Sequence, residues 1–351
     1  MARETGADQV ARILRATEQR APRSSIDNDG CARLVVAGRI TVAFHPDRLD
    51  RRGRTAVTGL LTDGAYLNQW TTGMSSGSRS ALPGGFRDSW EREVFGLPAD
   101  APAERRPVYG ALDLLRHRHG GSPAFGSCFL VLRDHVRERC TLTLGDSHLL
   151  PKRVGTFSRP EAIVDGLHEQ AARGQLLGQQ LSTEDLHAVL HSERRAAPRR
   201  TVADYIEVQI HGGVSLADIA AIVIDPSFEG TAVERTARSA AEAANAAFEQ
   251  HPGTVIEPRE LRHDPDAVDW DDDPAYVDHL IASLEQAAHP SDKASAAIIG
   301  RLLPEQPAAA PAAEGDAPRS LLQQVKHLWR LTYKRGRDAQ PGYEPAARHV
   351  G

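Results

Sequence analysis

The sequence predicts an α+β protein with a mixed or antiparallel β core over roughly residues 30–230. Three observations carry this. Tyr205–His211 alternates, with Ile206, Val208 and Ile210 on one face and Tyr205, Glu207, Gln209 and His211 on the other, the pattern of a half-buried strand. Phe125–Leu132 is nearly continuous in apolar residues, the pattern of a strand covered on both faces. Segments with apolar residues at helical spacing flank these strands at 8–20, 159–193 and 231–250.

A chain of 351 residues can hold one large domain or two ordinary ones. We expect an N-terminal helix and loop over 1–30, the α+β domain over 31–230 and a helical extension over 231–303. A Pro/Ala linker (304–318) and a C-terminal amphipathic helix with its tail (319–351) follow. The composition, 40% hydrophobic and 25% charged, is that of an ordinary soluble protein. A net charge of −5 gives no general attraction to nucleic acid or acidic membranes. Cys31, Cys128 and Cys140 are far apart, with no CxxC pair, so a reduced cytoplasmic setting fits best. The first twenty residues lack the apolar core of a signal peptide, which leaves delivery as an effector without one open. No apolar run is long enough to span a bilayer.

Taken in order, Asp8 is the expected N-cap of the first helix, with Val10, Ile13 and Leu14 on one face. Ile40, Val42 and Phe44 alternate in a strand that Pro46 stops, so His45–Arg48 forms a turn at its end. A short helix over 54–62 ends near Gly64, and a helix over 88–95 ends at Gly96. Between them lies a polar, glycine-punctuated segment, 66–77. Residues 108–115 form a strand, and His117 and His119 sit in a solvated basic loop. After the 125–132 strand, Thr141–Leu144 runs into a Gly-Asp-Ser-His turn. Helices over 159–171 and 182–190 lead to the 204–211 strand, and a strand over 216–224 is expected beside it. Thr231–Gln250 is one Ala-rich helix, Asp264–Asp273 a solvated acidic loop and Ala275–Ala288 a helix. The last helix, 321–335, carries Leu328, Trp329 and Tyr333 in its stripe and Lys326 and Arg330 among its charges. It can pack on its own domain or dock on a partner or membrane surface.

The segments TVAFHPDR (41–48), YLNQWTTGMSSG (66–77), RPVYGAL (106–112), FGSCFLVL (125–132), RCTLTLGDSH (139–148) and YIEVQIHGGV (205–214) together resemble an uncharacterised bacterial domain family with F-H-P-D-R and E-x-Q-x-H-G motifs. More distantly, their succession is similar to ADP-ribosyltransferase-like domains of bacterial toxins and phage head proteins. That resemblance implies a split, mostly antiparallel β core with flanking helices that clamps NAD. It places His45 at the end of the first core strand, Tyr109 or the Thr71–Ser76 segment on a middle strand and Glu207 on a later one. The family's usual pair is Glu or Gln, any residue, then the essential Glu. Here the order is Glu207-Val208-Gln209, so either Glu207 acts alone or the reaction has changed.

The implied roles follow the chemistry. Cleaving the bond to nicotinamide develops positive charge on the ribose, which the Glu207 carboxylate stabilises. Gln209 and His45 complete the catalytic set. His45 can bond a ribose hydroxyl, Arg48 the pyrophosphate and Tyr109 the nicotinamide ring. Thr72, Ser75 and His211 are further candidates for contact with the nucleotide, and His211 can instead order the Gly212-Gly213 turn. NAD is thus expected as a substrate, with no metal, and with the acceptor open among protein, nucleic acid, small molecule and water. No Rossmann or P-loop glycine motif is present. Two other classes compete. A metal-dependent hydrolase could use His45/Asp47, Asp146/His148 and His211. A non-catalytic binding module could reuse the fold, which the Gln209 departure favours. A Cys128–His211 nucleophile pair is conceivable, but Cys128 lies in an apolar run.

Overall fold

The computed structural model describes residues 5–22, 28–74, 81–191, 204–261, 278, 281–282, 284–285, 293–302 and 321–340. Its strands are β1 (Arg39–Phe44), β2 (Ala65–Tyr66), β3 (Val108–Asp113), β4 (Cys128–Leu132), β5 (Cys140–Leu144) and β6 (Val154–Thr156) in the first half. The second half adds β7 (Ile206–Ile210), β8 (Val214–Ser215), β9 (Ile219–Ile224), β10 (Ala247–Gln250), β11 (Thr254–Val255) and β12 (Arg337–Asp338). Eight of them form one sheet in the order β10-β9-β4-β1-β3-β7-β5-β6. Every pairing in it is antiparallel except β9 with β10. The protein is therefore α+β with a mostly antiparallel sheet, as expected.

Register divides the sheet into two chemically different faces. Ile40 pairs with Leu112, Leu112 with Ile206, and Ile206 with Leu144. Residues in register share a face, and alternate residues along each strand do too. One face is therefore aliphatic, and helices carrying Leu34, Val57, Leu60, Ile163, Leu167 and Ala240 pack it into the main core. On the other face Thr41 pairs with Ala111, Ala111 with Glu207, and Glu207 with Thr143. Tyr109, Gln209 and Thr141 make the next row. Alternation alone predicts that this face is half exposed. In the structure it is buried, with Glu207 4%, Gln209 0% and His211 1% exposed. A smaller apolar cluster lies at the His211 end of this face, joining Ile13 of the N-terminal helix (Gly6–Arg20) to Trp90, Val94 and Phe95 of the helix Phe86–Phe95.

Several expectations need correction. Thr5, not Asp8, caps the first helix; Asp8 is its N3 partner in a reciprocal capping box. The 216–224 strand does not neighbour β7, because β4, β1 and β3 lie between β9 and β7. Hydrophobic alternation fixes which face a strand buries but not its place in the order. The 231–250 segment is a helix only over Ala232–Ala243, then turns at Asn245 (φ 47°) and becomes β10. His119 is buried and bonds Asp338 at 3.0 Å, so the 117–119 loop is not simply solvated. The acidic run 264–273 and the linker 304–318 lie outside the described residues, as does most of 275–288. Of that expected helix, Ile281 and Leu284 are helical and fully buried. Among the described residues no helix is long and apolar enough to cross a membrane.

The C-terminal helix, Leu321–Arg335, packs on its own protein. Leu328, Trp329, Leu331 and Tyr333 belong to the main core. The Trp329 indole N–H donates to the Pro123 carbonyl at 2.9 Å, and its ring meets His45 edge-on at 5.6 Å. β12 then pairs with β11.

Candidate functional site

A cleft with about 1080 Å³ of empty space, open solvent included, is lined by residues from the end of β1, the start of β3 and the start of β7. Pro46 removes a ladder donor, so the chain turns at His45–Arg48 and displays those side chains at the strand end. Of the eight residues expected for catalysis or nucleotide contact, five line this one cleft: His45, Arg48, Thr72, Tyr109 and Glu207. Gln209 and His211 lie on the same sheet face but do not line it. Ser75 is outside the described residues. Asp146, a candidate of the metal-dependent alternative, lines the cleft too, as do Arg87, Tyr205 and Lys326, which the sequence did not single out as site residues.

Glu207 is buried and held by three donors. Its Oε2 accepts from the Tyr205 hydroxyl at 3.0 Å and the Ser147 backbone N–H at 3.4 Å, and its Oε1 accepts from Gln209 Nε2 at 2.9 Å. Burial, with the Asp146 charge beside it, pushes its pKa up to about 7, against the donated hydrogen bonds and the Arg87 charge. Behind it, the donors form a directed chain. Thr141 Oγ1 donates to Gln209 Oε1 at 2.8 Å, and so accepts from His211 Nε2 at 3.0 Å. Gln209 Nε2 also donates to Thr143 Oγ1 at 3.1 Å. Gln209 can therefore accept from Thr141 and donate to Glu207 at once, which a glutamate in its place could not do when ionised. His211 is sealed behind this chain, edge-on to Phe95 at 4.9 Å, and burial with Arg139 lowers its pKa to about 3.

His45 is buried and neutral. Its Nδ1 accepts the Ser127 N–H at 3.4 Å, which leaves the proton on Nε2. Burial, then the charges of Arg48 and Lys326, hold its pKa well below the usual histidine range. Arg48 is 5% exposed. It pairs with Asp47 at 3.5 Å, and its Nε and Nη1 have no hydrogen-bond partner among the described residues. Tyr109 is fixed from both sides: its hydroxyl donates to Glu91 at 2.8 Å, and the Arg87 guanidinium lies 4.4 Å from its ring centroid. Glu91, fully buried, also accepts from Trp70 Nε1 at 3.2 Å and from Arg106 at 2.9 Å.

The residues of the metal-dependent alternative are spread over the site. His45 and Asp146 line the cleft, Asp47 is engaged with Arg48, and His211 lies behind the Gln209 layer. The His148 side chain is outside the described residues. Among those described, no group of three His, Cys, Asp or Glu side chains is placed to hold a metal ion. Cys128 is fully buried and shares the aliphatic face with Phe44, its partner in register, whereas His211 bonds Thr141 on the polar face, so the two cannot form a nucleophile pair. Burial, with Asp225 near, pushes that thiol well above its usual pKa.

This chain is similar to two curated phage proteins. Over 173 residues it is 30% identical to the Gene 2 protein of Mycobacterium phage D29, covering 47% of this chain and 59% of that protein. Over 151 residues it is 28% identical to the Gene 2 protein of Mycobacterium phage L5, covering 37% of this chain and 54% of that protein. The chain thus spans somewhat over half the length of these relatives. The model of the family described as "Protein of unknown function (DUF3626)" matches residues 39–333, which run from β1 to the C-terminal helix that walls the cleft. On that match the chain belongs to the DUF3626 family.

Proposed function

We propose that the cleft takes NAD as a substrate and breaks its bond to nicotinamide, on a fold of ADP-ribosyltransferase type. The observation that carries this reading is the meeting of a hydrogen-bonded carboxylate, Glu207, with a neutral His45 and the buried cation Arg48 in one cleft. A dinucleotide needs these three kinds of group: a carboxylate at the ribose, a hydrogen-bond donor for its hydroxyls and positive charge at the pyrophosphate.

In this reading the C1′–N bond of the nicotinamide riboside breaks and its electron pair leaves with neutral nicotinamide. The oxocarbenium charge that develops is stabilised by Glu207, which the directed hydrogen bonds from Tyr205, Gln209 and Ser147 hold in place. Water or an acceptor group adds at C1′ and loses a proton. His45 positions the ribose, and Tyr109, with its hydroxyl tied to Glu91, offers its ring to the nicotinamide. Gln209 is a positioning residue, since it reaches the cleft only through Glu207.

Incubation of the purified protein with NAD, with nicotinamide followed by chromatography, tests this. Glu207→Ala should lower release by at least about two orders of magnitude, the size of losing a key electrostatic group. Wild-type protein that binds NAD without turnover would favour a non-catalytic binding module. Protein that neither binds nor cleaves NAD would end the reading.

A further inference from the structure

The cleft has a wall that the strands do not supply. Lys326, on the C-terminal helix, lines it together with Arg48 and Arg87. Lys326 is 6% exposed, although its helix is amphipathic and its charges would be expected in solvent. It reaches the cleft because Trp329, one turn on, is anchored at Pro123 and packs against His45.

We propose that Lys326 is the third cation of a diphosphate-binding subsite that it forms with Arg48 and Arg87, so that the C-terminal helix is part of the ligand-binding surface. The Glu91 and Glu207 charges offset Arg87, but Arg48 and Arg87 press their like charge on the buried Lys326, and a doubly charged anion in the cleft relieves that repulsion. Two observations point to an external anion. Arg48 is buried with Nε and Nη1 lacking hydrogen-bond partners among the described residues, and its Asp47 pair is long at 3.5 Å. Burial together with the like charges of Arg330, Arg48 and Arg87 also pushes the Lys326 ammonium well below its usual pKa. An incoming diphosphate would reverse that field. The inference rests on the NAD reading for its biological ligand, though not for its test.

The test is calorimetric titration of the full chain with inorganic pyrophosphate, ADP-ribose and nicotinamide, on wild type, Lys326→Met and Lys326→Arg. Lys326→Met keeps the aliphatic stem, so the helix stays packed, and far-UV and near-UV circular dichroism verify this. Pyrophosphate and ADP-ribose should bind Lys326→Met at least tenfold more weakly than wild type, Lys326→Arg should recover most of the loss, and nicotinamide binding should not change. If these ligands bind as expected but NAD is not cleaved, the subsite stands and the NAD-cleavage reading falls. Equal pyrophosphate affinity in wild type and Lys326→Met, or no binding of pyrophosphate or ADP-ribose by wild type at millimolar concentration, would overturn the subsite.

Discussion

Gln209 Nε2 donates to Glu207 Oε1 at 2.9 Å, and the same amide accepts from Thr141 at 2.8 Å. The amide is therefore oriented by its neighbours, and only a side chain with one donor end and one acceptor end fits. Gln209→Glu would set a second carboxylate against Glu207 in a fully buried layer, and one of the two must then hold a proton. We expect a stability loss of about 1–3 kcal/mol near pH 7 that grows at higher pH. Chemical denaturation at pH 6 and pH 9 measures it. A variant as stable as wild type at pH 9 would refute the assigned role of Gln209.

Glu207 gives a signed pH dependence. Its pKa is raised from 4.5 to about 7, so the folded protein holds a proton between these values that the unfolded chain has already lost. Its contribution to stability therefore falls as pH rises through that window, with a limiting slope of about 1.4 kcal/mol per pH unit. Denaturation midpoints across pH 4–8 should show this fall in wild type and a flatter profile in Glu207→Gln. If the cleft cleaves NAD as proposed, with ionised Glu207 stabilising the ribosyl charge, nicotinamide release should rise with pH through the same region. Asp146→Asn, by removing the neighbouring charge, should move that rise to lower pH.

Glu91 is the hub behind Tyr109. It accepts from Trp70, Arg106 and Tyr109 while fully buried. Glu91→Ala strands three donors, two of them buried, and leaves Arg106 its 2.7 Å ion pair with Asp88. The expected cost is about 3–5 kcal/mol, with Glu91→Gln costing less because it keeps an acceptor oxygen. Urea denaturation of the two variants decides this, and equal losses would contradict the hub.

Gly126 has an extended backbone that any residue can adopt, yet a Cβ there would overlap the main chain of Phe44. Backbone cannot move aside as a side-chain tip can, so Gly126→Ala should cost about 1–3 kcal/mol or more. Gly145 is the converse. Its φ is 100°, and a Cβ would meet nothing within 4 Å, so Gly145→Ala should cost only conformational strain, about 1–2 kcal/mol. Thermal melts that ranked them in the opposite order would show that the β1 turn can yield.

The alternation of 206–210 and of 40–44 revealed in the sequence which residues face the core, and the Pro46 turn indicated where functional groups gather. Those patterns put His45 and Arg48 at a strand end and Glu207 on a strand face, and the resemblance to ADP-ribosyltransferase-like domains is what grouped the three as one site. The order of the strands was not legible in this way, since burial period says nothing about which strand lies alongside. Gln209 could be noticed as a departure, but its role depends on Thr141 and Thr143 of another strand. Lys326 was hidden for a related reason. A helical pattern assigns charges to solvent by the helix's own geometry, and only the tertiary placement of Trp329 turns that lysine inward. Arg87 needed the same knowledge, because it joins the site through the Tyr109 ring.

The late position of Lys326 and Trp329 in the chain has a consequence for biosynthesis. They follow the last strands bearing on the cleft by roughly 100 residues, which at ribosomal speeds of about 5–20 residues per second is a delay of some 5–20 s. During that interval the nascent sheet exposes His45 and the Pro123 carbonyl without the helix that covers them. A cleft assembled from both early and late segments thus takes its full form only after the C-terminal helix has left the ribosome.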